Sequence, residues 1–94
     1  MKFDWDVRKA AINVAKHGIG FEQAITVFDD PVYLDIYDVA HSVTEHRWIR
    51  VGWSDSGVLV VVYTERKGRT YRIISARRAN RKERRLYNET QGKN

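Results

Sequence analysis

The sequence of 94 residues contains no cysteine, and this absence removes several classes of chemistry. Disulfide bridges, cysteine-ligated zinc sites and thiol nucleophiles are all excluded. The lack of disulfides fits a reducing compartment. No apolar run approaches the roughly 18 residues that a membrane-spanning helix needs, and the first residues do not resemble a signal peptide. We therefore expect a soluble protein of the cytoplasm that has no membrane partner.

Proline and glycine are also scarce, and this bears on how many domains the chain forms. The only proline is Pro31, there are six glycines, and no linker rich in proline, glycine or serine divides the sequence. A chain of this length buries too little surface to support two separate cores. We expect a single domain over residues 1–90 and a frayed tail over residues 91–94.

Positive charge is abundant and is concentrated in the C-terminal third. The chain has 17 Lys and Arg against 12 Asp and Glu, a net charge of +5. Residues 65–85 hold ten of the bases and two of the acids, whereas the rest holds seven bases and ten acids. A basic patch attracts polyanions because binding releases their condensed counterions. This distribution favours nucleic acid or an acidic protein as the partner over a merely solvated basic face.

The N-terminal third predicts a short strand and two helices. Residues 2–5 suit a brief edge strand, and Asp6 suits the N-cap of a helix that Gly18 ends in the left-handed conformation. A second helix is predicted over residues 21–29, where apolar side chains recur at helical spacing, and Pro31 prevents its continuation.

After Pro31 the apolar residues recur with the period of a strand. Strands are predicted over residues 32–38, 46–53, 58–64 and 69–77. A capping box from Asn80 to Glu83 begins a basic helix that ends near Asn88. The predicted fold is α+β: two N-terminal helices packed on a four-stranded antiparallel sheet, a possible short edge strand, and a C-terminal helix. We expect the helices to lie mainly on one face of the sheet.

The last predicted strand carries arginine on both of its faces near its C-terminal end. One face reads Tyr71, Ile73, Ser75, Arg77, and the other reads Arg72, Ile74, Ala76, Arg78. We expect these arginines to converge beside the C-terminal helix into a cationic site of the size of a phosphate.

Catalysis without a thiol or a metal depends on proton transfer and fixed charge. RNA cleavage needs little more, because the 2′-hydroxyl attacks its own phosphodiester while the protein supplies a base, an acid and cations. The individual residues also suit structural roles. Lys16 and His17 suit the C-terminus of a helix, Glu45 and Arg47 an exposed ion pair, and Tyr87 a packing role.

Several motifs, in order along the chain, resemble the BrnT toxin family. They are Trp5-Asp6, Asn13-x-x-Lys16-His17-Gly18-Ile19, His41-Ser42-x-x-Glu45-x-Arg47, Val60-Val61-Val62-Tyr63-Thr64-Glu65-Arg66 and Arg72-Ile73-Ile74-Ser75-Ala76-Arg77-Arg78-Ala79. The resemblance extends from Phe3 to about Tyr87. It implies a RelE-like α+β fold and a ribonuclease toxin of a type II toxin–antitoxin module. Such a toxin cuts RNA without metal or cofactor, suppresses translation, is neutralised by a BrnA-type antitoxin, and meets DNA only through that antitoxin.

The resemblance also implies a functional surface. The candidate catalytic residues are Lys16, His17, Glu45, Arg47, Arg66, Arg77 and Tyr87. The candidate contacts to RNA phosphate are Arg72, Arg78, Arg81 and Lys82. Our interpretation makes Glu45 or His17 the base, Arg66 and Arg77 the phosphate ligands, and Tyr87 or His17 the acid. The alternative is a non-catalytic module that binds nucleic acid or another protein through its basic surface.

Overall fold

The computed structural model describes residues 1–41 and 45–91. Its elements are β1 Lys2–Trp5, α1 Val7–His17, α2 Phe21–Ala24, a 3-10 helix Ile25–Asp29, β2 Leu34–Tyr37, a 3-10 helix Val39–His41, β3 Trp48–Ser54, β4 Gly57–Arg66, β5 Thr70–Arg78 and α3 Arg81–Gln91. Two parts of the sequence-based prediction, Ser42 in the middle motif and residues 92–94 of the tail, lie outside the described residues. Gln91, placed in the tail by the sequence, is the last residue of α3.

Helix α1 begins and ends where the sequence predicts. The Oδ1 atom of Asp6 accepts hydrogen bonds from the backbone nitrogens of Arg8 and Lys9 at 2.8 and 3.1 Å. Gly18 ends the helix with a φ of 71°, a conformation that costs glycine little because it has no Cβ. The ends of this helix are therefore fixed by local rules alone.

Buried Asn13 fastens α1 to the C-terminal end of β5. Its Nδ2 atom donates to the carbonyl oxygens of Ile19 and Ala76 at 2.9 and 2.8 Å, and its Oδ1 atom accepts from the nitrogen of Ala76 at 3.1 Å. A polar side chain is tolerated in this core because its donors and acceptor are satisfied. The end of α1 is thereby held beside Ala76.

The second predicted helix is α-helical only over its first four residues. From Ile25 onwards it tightens into a 3-10 helix, and the nitrogen of Asp30 donates to the carbonyl of Val27 at 3.2 Å. Such tightening is common at the end of a helix, and Pro31 follows directly. Phe21, Ala24 and Val27 are buried, so the predicted apolar stripe does pack on the sheet.

The sheet has five strands in the order β1-β5-β4-β3-β2, with the long apolar strand β4 at its centre. Strands β2 to β5 are antiparallel neighbours, but β1 pairs with β5 in parallel. The prediction of an antiparallel sheet is therefore wrong for its edge. Short connections force sequential strands to run antiparallel, whereas β1 is separated from β5 by most of the chain and is free of that constraint.

Helices cover both faces of the sheet. On one face, which we call the α1 face, α1 and α2 pack over Leu59, Val61, Tyr63, Ile73 and Ala76. On the other, the α3 face, Tyr87 of α3 packs with Val51, Val60 and Ala79. Two of the three α-helices thus share a face, and the third lies opposite. No described helix is long and apolar enough to cross a membrane.

Candidate active site

An ion pair between Glu45 and Arg66 lies at the end of the sheet where β4 turns into β5. We call this end, residues 64–72 with the facing residues 37 and 45–48, the hairpin end. The Nη2 atom of Arg66 lies 3.2 Å from Oε2 of Glu45, and the two side chains are 50% and 34% exposed. Two of the residues predicted from sequence therefore meet at a surface that a substrate can reach.

Arg72 and Arg47 lie at the same end of the sheet. Arg72 pairs with Thr64 on β4, two residues from Arg66, and its Nη1 atom contacts Oδ1 of Asp4 at 3.2 Å. Alternate residues of a strand lie about 7 Å apart on one face. Arg47 immediately precedes β3, is half-buried, and its carbonyl oxygen accepts a hydrogen bond of 2.9 Å from the nitrogen of Asp38. Of the predicted residues, the structure thus gathers Glu45, Arg47, Arg66 and Arg72.

An open cleft of about 620 Å³ borders Arg66 at the hairpin end. It is lined by Tyr37, His46, Trp48, Glu65 and Arg66. The hydroxyl of Tyr37 lies 2.6 Å from Nδ1 of His46, and the rings of Tyr37 and Trp48 are 5.2 Å apart at 70°. An exposed imidazole, an indole and a guanidinium therefore face one volume, a set that suits proton transfer, base stacking and phosphate binding.

A buried threonine fixes the segment that carries Glu45, His46 and Arg47. The Oγ1 atom of Thr64 donates to the carbonyl oxygen of His46 at 2.7 Å, and Thr64 is only 2% exposed. Because Thr64 belongs to β4, this hydrogen bond ties an irregular segment to the central strand of the sheet. The positions of Glu45 and His46 relative to Arg66 are thereby restrained.

A charged network lies behind the cleft on the α1 face. Arg50 is buried, donates to both carboxylate oxygens of Asp35 at 2.8 Å each, and places its guanidinium carbon 3.8 Å from the ring centre of Tyr33. The hydroxyl of Tyr63 donates to Asp35 at 2.7 Å. Burial, followed by this hydrogen bond, raises the pKa of Tyr63. The network is internally satisfied and supports Trp48, which pairs with Tyr63 across β3 and β4.

The expected convergence of arginines beside α3 is wrong. A bulge between Val62 and Tyr63 shifts the register, so that Arg77 lies on the α3 face and Arg78 on the α1 face, opposite Leu59. Arg77 donates to both carboxylate oxygens of Glu83 at 2.8 Å, and this contact lowers the pKa of Glu83. Arg78 donates to the carbonyl oxygen of Ser56 at 2.7 Å.

Arg77 is also distant from Arg66. It pairs with Val60, whereas Arg66 lies six residues further along β4, which corresponds to about 20 Å. Arg81 and Lys82 are exposed on the first turn of α3, and Arg81 lines a shallow groove of about 510 Å³ with Arg84, Arg85, Asn88 and Glu89. We call the region of Arg77, Arg78 and α3 the α3 end. The predicted RNA contacts are therefore divided between two regions.

Tyr87 is enclosed in the core, where a substrate does not reach it. Only 2% of the residue is exposed, and its hydroxyl donates to Oδ2 of Asp30 at 2.5 Å. Burial, together with Asp30, raises the pKa of Tyr87 to about 12. The same carboxylate accepts from the nitrogens of Trp53 and Val32 at 2.8 and 2.9 Å. Tyr87 thus fastens α3 to the sheet, and this placement contradicts the catalytic acid role.

Lys16 and His17 lie away from Glu45 and Arg66. They form the last turn of α1, and the neighbouring residue Asn13 is hydrogen-bonded to Ala76, at the opposite end of β5 from the hairpin. Lys16 is exposed and His17 is half-buried. The position fits cations at the C-terminus of a helix dipole. Of the two residues predicted as the base, His17 and Glu45, the structure therefore favours Glu45.

The site residues predicted from the sequence do not include the three aromatic residues of the cleft, Tyr37, His46 and Trp48. Tyr37 and Trp48 are cross-strand partners, and His46 lies two residues before Trp48. The period-two pattern places His46 and Trp48 on one face, but pairing with Tyr37 depends on the register of β2 against β3. Among the described residues, no three His, Asp or Glu side chains are arranged to hold a metal ion. The expectation of no cofactor stays a prediction.

Comparison with known proteins adds independent information. A family model described as "Ribonuclease toxin, BrnT, of type II toxin-antitoxin system" matches residues 5–83. The fold is similar to the crystal structure of the Brucella abortus ribonuclease toxin BrnT, with a TM-score of 0.67 and 23% identity over 86% of this chain and 99% of that chain. At this identity the structural likeness shows the fold alone. No curated protein matches the chain.

Proposed function

Because the chain belongs to the BrnT family of ribonuclease toxins of type II toxin–antitoxin systems, we propose that it is a metal-independent endoribonuclease whose cleavage site is the hairpin end. Membership of the family implies an RNA substrate and an antitoxin partner. We propose further that a BrnA-type antitoxin neutralises it. The observation that carries the site assignment is the cleft lined by exposed His46 and half-exposed Arg66, with Glu45 in contact with Arg66 at 3.2 Å.

In the proposed reaction the 2′-hydroxyl of RNA is the nucleophile. Glu45 accepts the 2′ proton, the O2′–P bond forms, and the bond from phosphorus to O5′ breaks. His46 donates a proton to the departing O5′ atom, which leaves a 2′,3′-cyclic phosphate and a 5′-hydroxyl. Acid and base catalysis of this kind each contribute about 10²–10⁴-fold to a rate.

Arg66 supplies the positive charge that the reaction needs. An arginine has five N–H donors in a fixed fork, and one nitrogen of Arg66 contacts Glu45 at 3.2 Å. The other donors can face a non-bridging phosphate oxygen, where charge develops in the transition state. A preformed cation at that position is worth about 10²–10³-fold in rate.

Tyr37 orients the proposed acid. Its hydroxyl engages Nδ1 of His46 at 2.6 Å, so that Nε2 is the ring nitrogen left to serve the substrate. Trp48 offers its ring to a base beside the cut, and Arg47 and Arg72 bind flanking phosphates. Arg78, Arg81 and Lys82 remain candidates for contacts with a longer RNA, outside the cleavage site.

The nature of the products tests this proposal. The purified protein, incubated with a labelled RNA in the presence of a chelator, should release fragments ending in 2′,3′-cyclic phosphate. A matched RNA with a single 2′-deoxy nucleotide at the cut should survive. Cleavage of the deoxy RNA would show a water nucleophile. Loss of RNA cleavage in the presence of the chelator would show a metal. Salt-dependent binding without any cleavage would establish the non-catalytic module instead.

A further inference from the structure

An aliphatic row crosses the α3 face of the sheet between its two basic ends. Ile36, Ile49 and Val62 are successive cross-strand partners on β2, β3 and β4. Ile36 is 45% exposed, and the other two side chains are half-buried. Cross-strand neighbours on one face lie about 5 Å apart, so the three form one continuous surface. We call it the aliphatic row.

Helix α3 lies beside this row. Tyr87 packs with Val51 and Val60, which belong to the next row of cross-strand partners toward the α3 end. Leu86, the residue before Tyr87, is 47% exposed. It lies one turn after Glu83, which reaches down to Arg77 on the sheet. Leu86 therefore adds an exposed apolar side chain to the side of α3 that carries Glu83.

Cations border the aliphatic row on two sides. Toward the hairpin end stand Arg66, four residues after Val62 on β4, and Arg72, whose partner Thr64 is two residues after Val62. Toward α3 stands Arg77, and Lys82, Arg85 and Glu89 line a small cleft of about 220 Å³ with Leu86. The surface thus has an apolar floor and a rim of cations, of which Arg66, Arg72 and Arg77 also contact carboxylates of the protein.

RNA is a poor match for the floor of this surface. Single-stranded nucleic acid binds through cations and through aromatic rings on which bases stack, and the row offers branched aliphatic side chains. Aliphatic surface gains free energy when apolar side chains cover it, at about 25 cal/mol per Å². The best match is a polypeptide segment with apolar residues on one side and carboxylates along its margins.

We propose that the aliphatic row and Leu86 bind an acidic, amphipathic segment of the antitoxin. The proposal rests on the proposed function for the identity of the partner. A segment seated on the row would bring carboxylates against Arg66 and Arg72, where they would compete with RNA phosphate for these guanidinium groups. Binding and inhibition would then be one event, with opposite charges providing specificity and fast association.

The test compares matched charge insertions on two sides of the molecule. Ile36→Glu and Leu86→Glu place a carboxylate on the proposed surface. Ile12→Glu makes the same change on α1, where the side chain is 63% exposed. The dissociation constant is measured by titration with a purified BrnA-type antitoxin, at fixed ionic strength. We expect the first two variants to bind roughly 30-fold more weakly each, the size of a central interface contact, and Ile12→Glu within about twofold of the original.

Further readouts separate the possible outcomes. Leu86→Glu lies on a helix surface outside the strand pairing, so it reports even if Ile36→Glu disturbs the sheet. Binding of an uncleavable 2′-deoxy RNA should stay within about threefold in every variant. Antitoxin affinity unchanged in both variants, or RNA affinity reduced as much as antitoxin affinity, would overturn the proposal. If the original chain cuts no RNA but Ile36→Glu and Leu86→Glu still weaken antitoxin binding while Ile12→Glu does not, the proposed catalysis is wrong and the docking surface is supported.

Discussion

The hairpin end and the α3 end are both rich in arginine, yet they use it differently. At the α3 end three guanidinium groups are bound by acceptors of the protein itself, namely Glu83 for Arg77 and backbone carbonyls for Arg78 and Arg84. At the hairpin end Arg66 is half-exposed, contacts Glu45, and faces a cleft with His46. Local charge density therefore identifies two regions, and only the surrounding acceptors separate a structural arginine from one that can receive a phosphate.

The α3 end gains stability from its bound charges. Asn80 and Glu83 form reciprocal hydrogen bonds of 2.8 Å at the start of α3, and the same Glu83 binds Arg77 on β5. Together with Tyr87 and Asp30, these contacts hold a helix that buries little apolar surface of its own. Arg77, which the sequence marked as a catalytic candidate, thus serves to attach α3.

The sharpest contrast between the two ends should appear when one arginine is removed from each. We expect Arg66→Ala to lower the cleavage rate by about 10²–10³-fold, because it removes the charge nearest the reacting phosphate. Arg77→Ala should lower the rate by less than about tenfold. Initial rates on the same labelled RNA measure both effects.

Unfolding experiments provide the control for this pair. Arg77→Ala should cost about 1 kcal/mol of stability, since it breaks a partly exposed bidentate ion pair, whereas Arg66→Ala should leave the urea midpoint nearly unchanged. Equal losses of activity in the two variants, with both folded, would contradict the division between the ends.

Substitution of one tyrosine at each end should show the same contrast between the hairpin end and the α3 end, with smaller changes in rate and stability. Tyr87→Phe removes a buried hydrogen bond to the carboxylate of Asp30 and should cost about 1.5 kcal/mol of stability while cleavage is unchanged. Tyr37→Phe should do the opposite, lowering the rate by about tenfold through loss of the contact to His46 while stability is kept. A Tyr87→Phe protein that folds but has lost its activity would return Tyr87 to the catalytic site.

The smallest expected effect is a loss of folding stability at acidic pH. Burial acts to raise the pKa of Asp30, but hydrogen bonds from Trp53, Tyr87 and Val32 outweigh it, and the net pKa is lowered from 3.8. A carboxyl group with a lowered pKa stabilises the folded state above its unfolded pKa, and this stabilisation is lost as the pH falls through the folded value. Stability should therefore decline as the pH falls below about 4, and the Glu83 carboxyl contributes in the same direction.

Tyr87→Phe sharpens the acid prediction. Without the hydrogen bond from Tyr87, the pKa of Asp30 moves back toward its unfolded value, so the variant should lose less stability between pH 6 and pH 3 than the original chain. Urea unfolding at the two pH values measures this difference. An equal or larger loss in the variant would show that Asp30 does not depend on Tyr87.

Features set by local rules could be predicted from the sequence. The caps at Asp6, Gly18 and Asn80 and the central position of β4 depend on neighbouring residues or on a simple period, and the structure has them as predicted. The fold class followed from the order of these elements. Glu45 and Arg66 could be named as site residues because the family resemblance marked their positions.

Features set by strand register and by contacts between distant parts of the chain could not be predicted from the sequence. The bulge at Val62 reverses which arginine of β5 lies on which face, and nothing in the alternation of that strand announces it. The separation of His17 from Glu45 follows from the contact between Asn13 and Ala76, which lie 63 residues apart. The burial of Tyr87 depends likewise on Asp30, which lies 57 residues earlier in the sequence.

The location of bound RNA tests the central claim most directly. Backbone amide shifts can be followed by NMR while a short RNA with a 2′-deoxy nucleotide at the cut is added to the intact protein. We expect the largest shifts at Tyr37, at residues 45–48, and at residues 64–66 and 70–72. Shifts confined to the end of α1, to Arg77 and to α3, with the hairpin end unaffected, would contradict it.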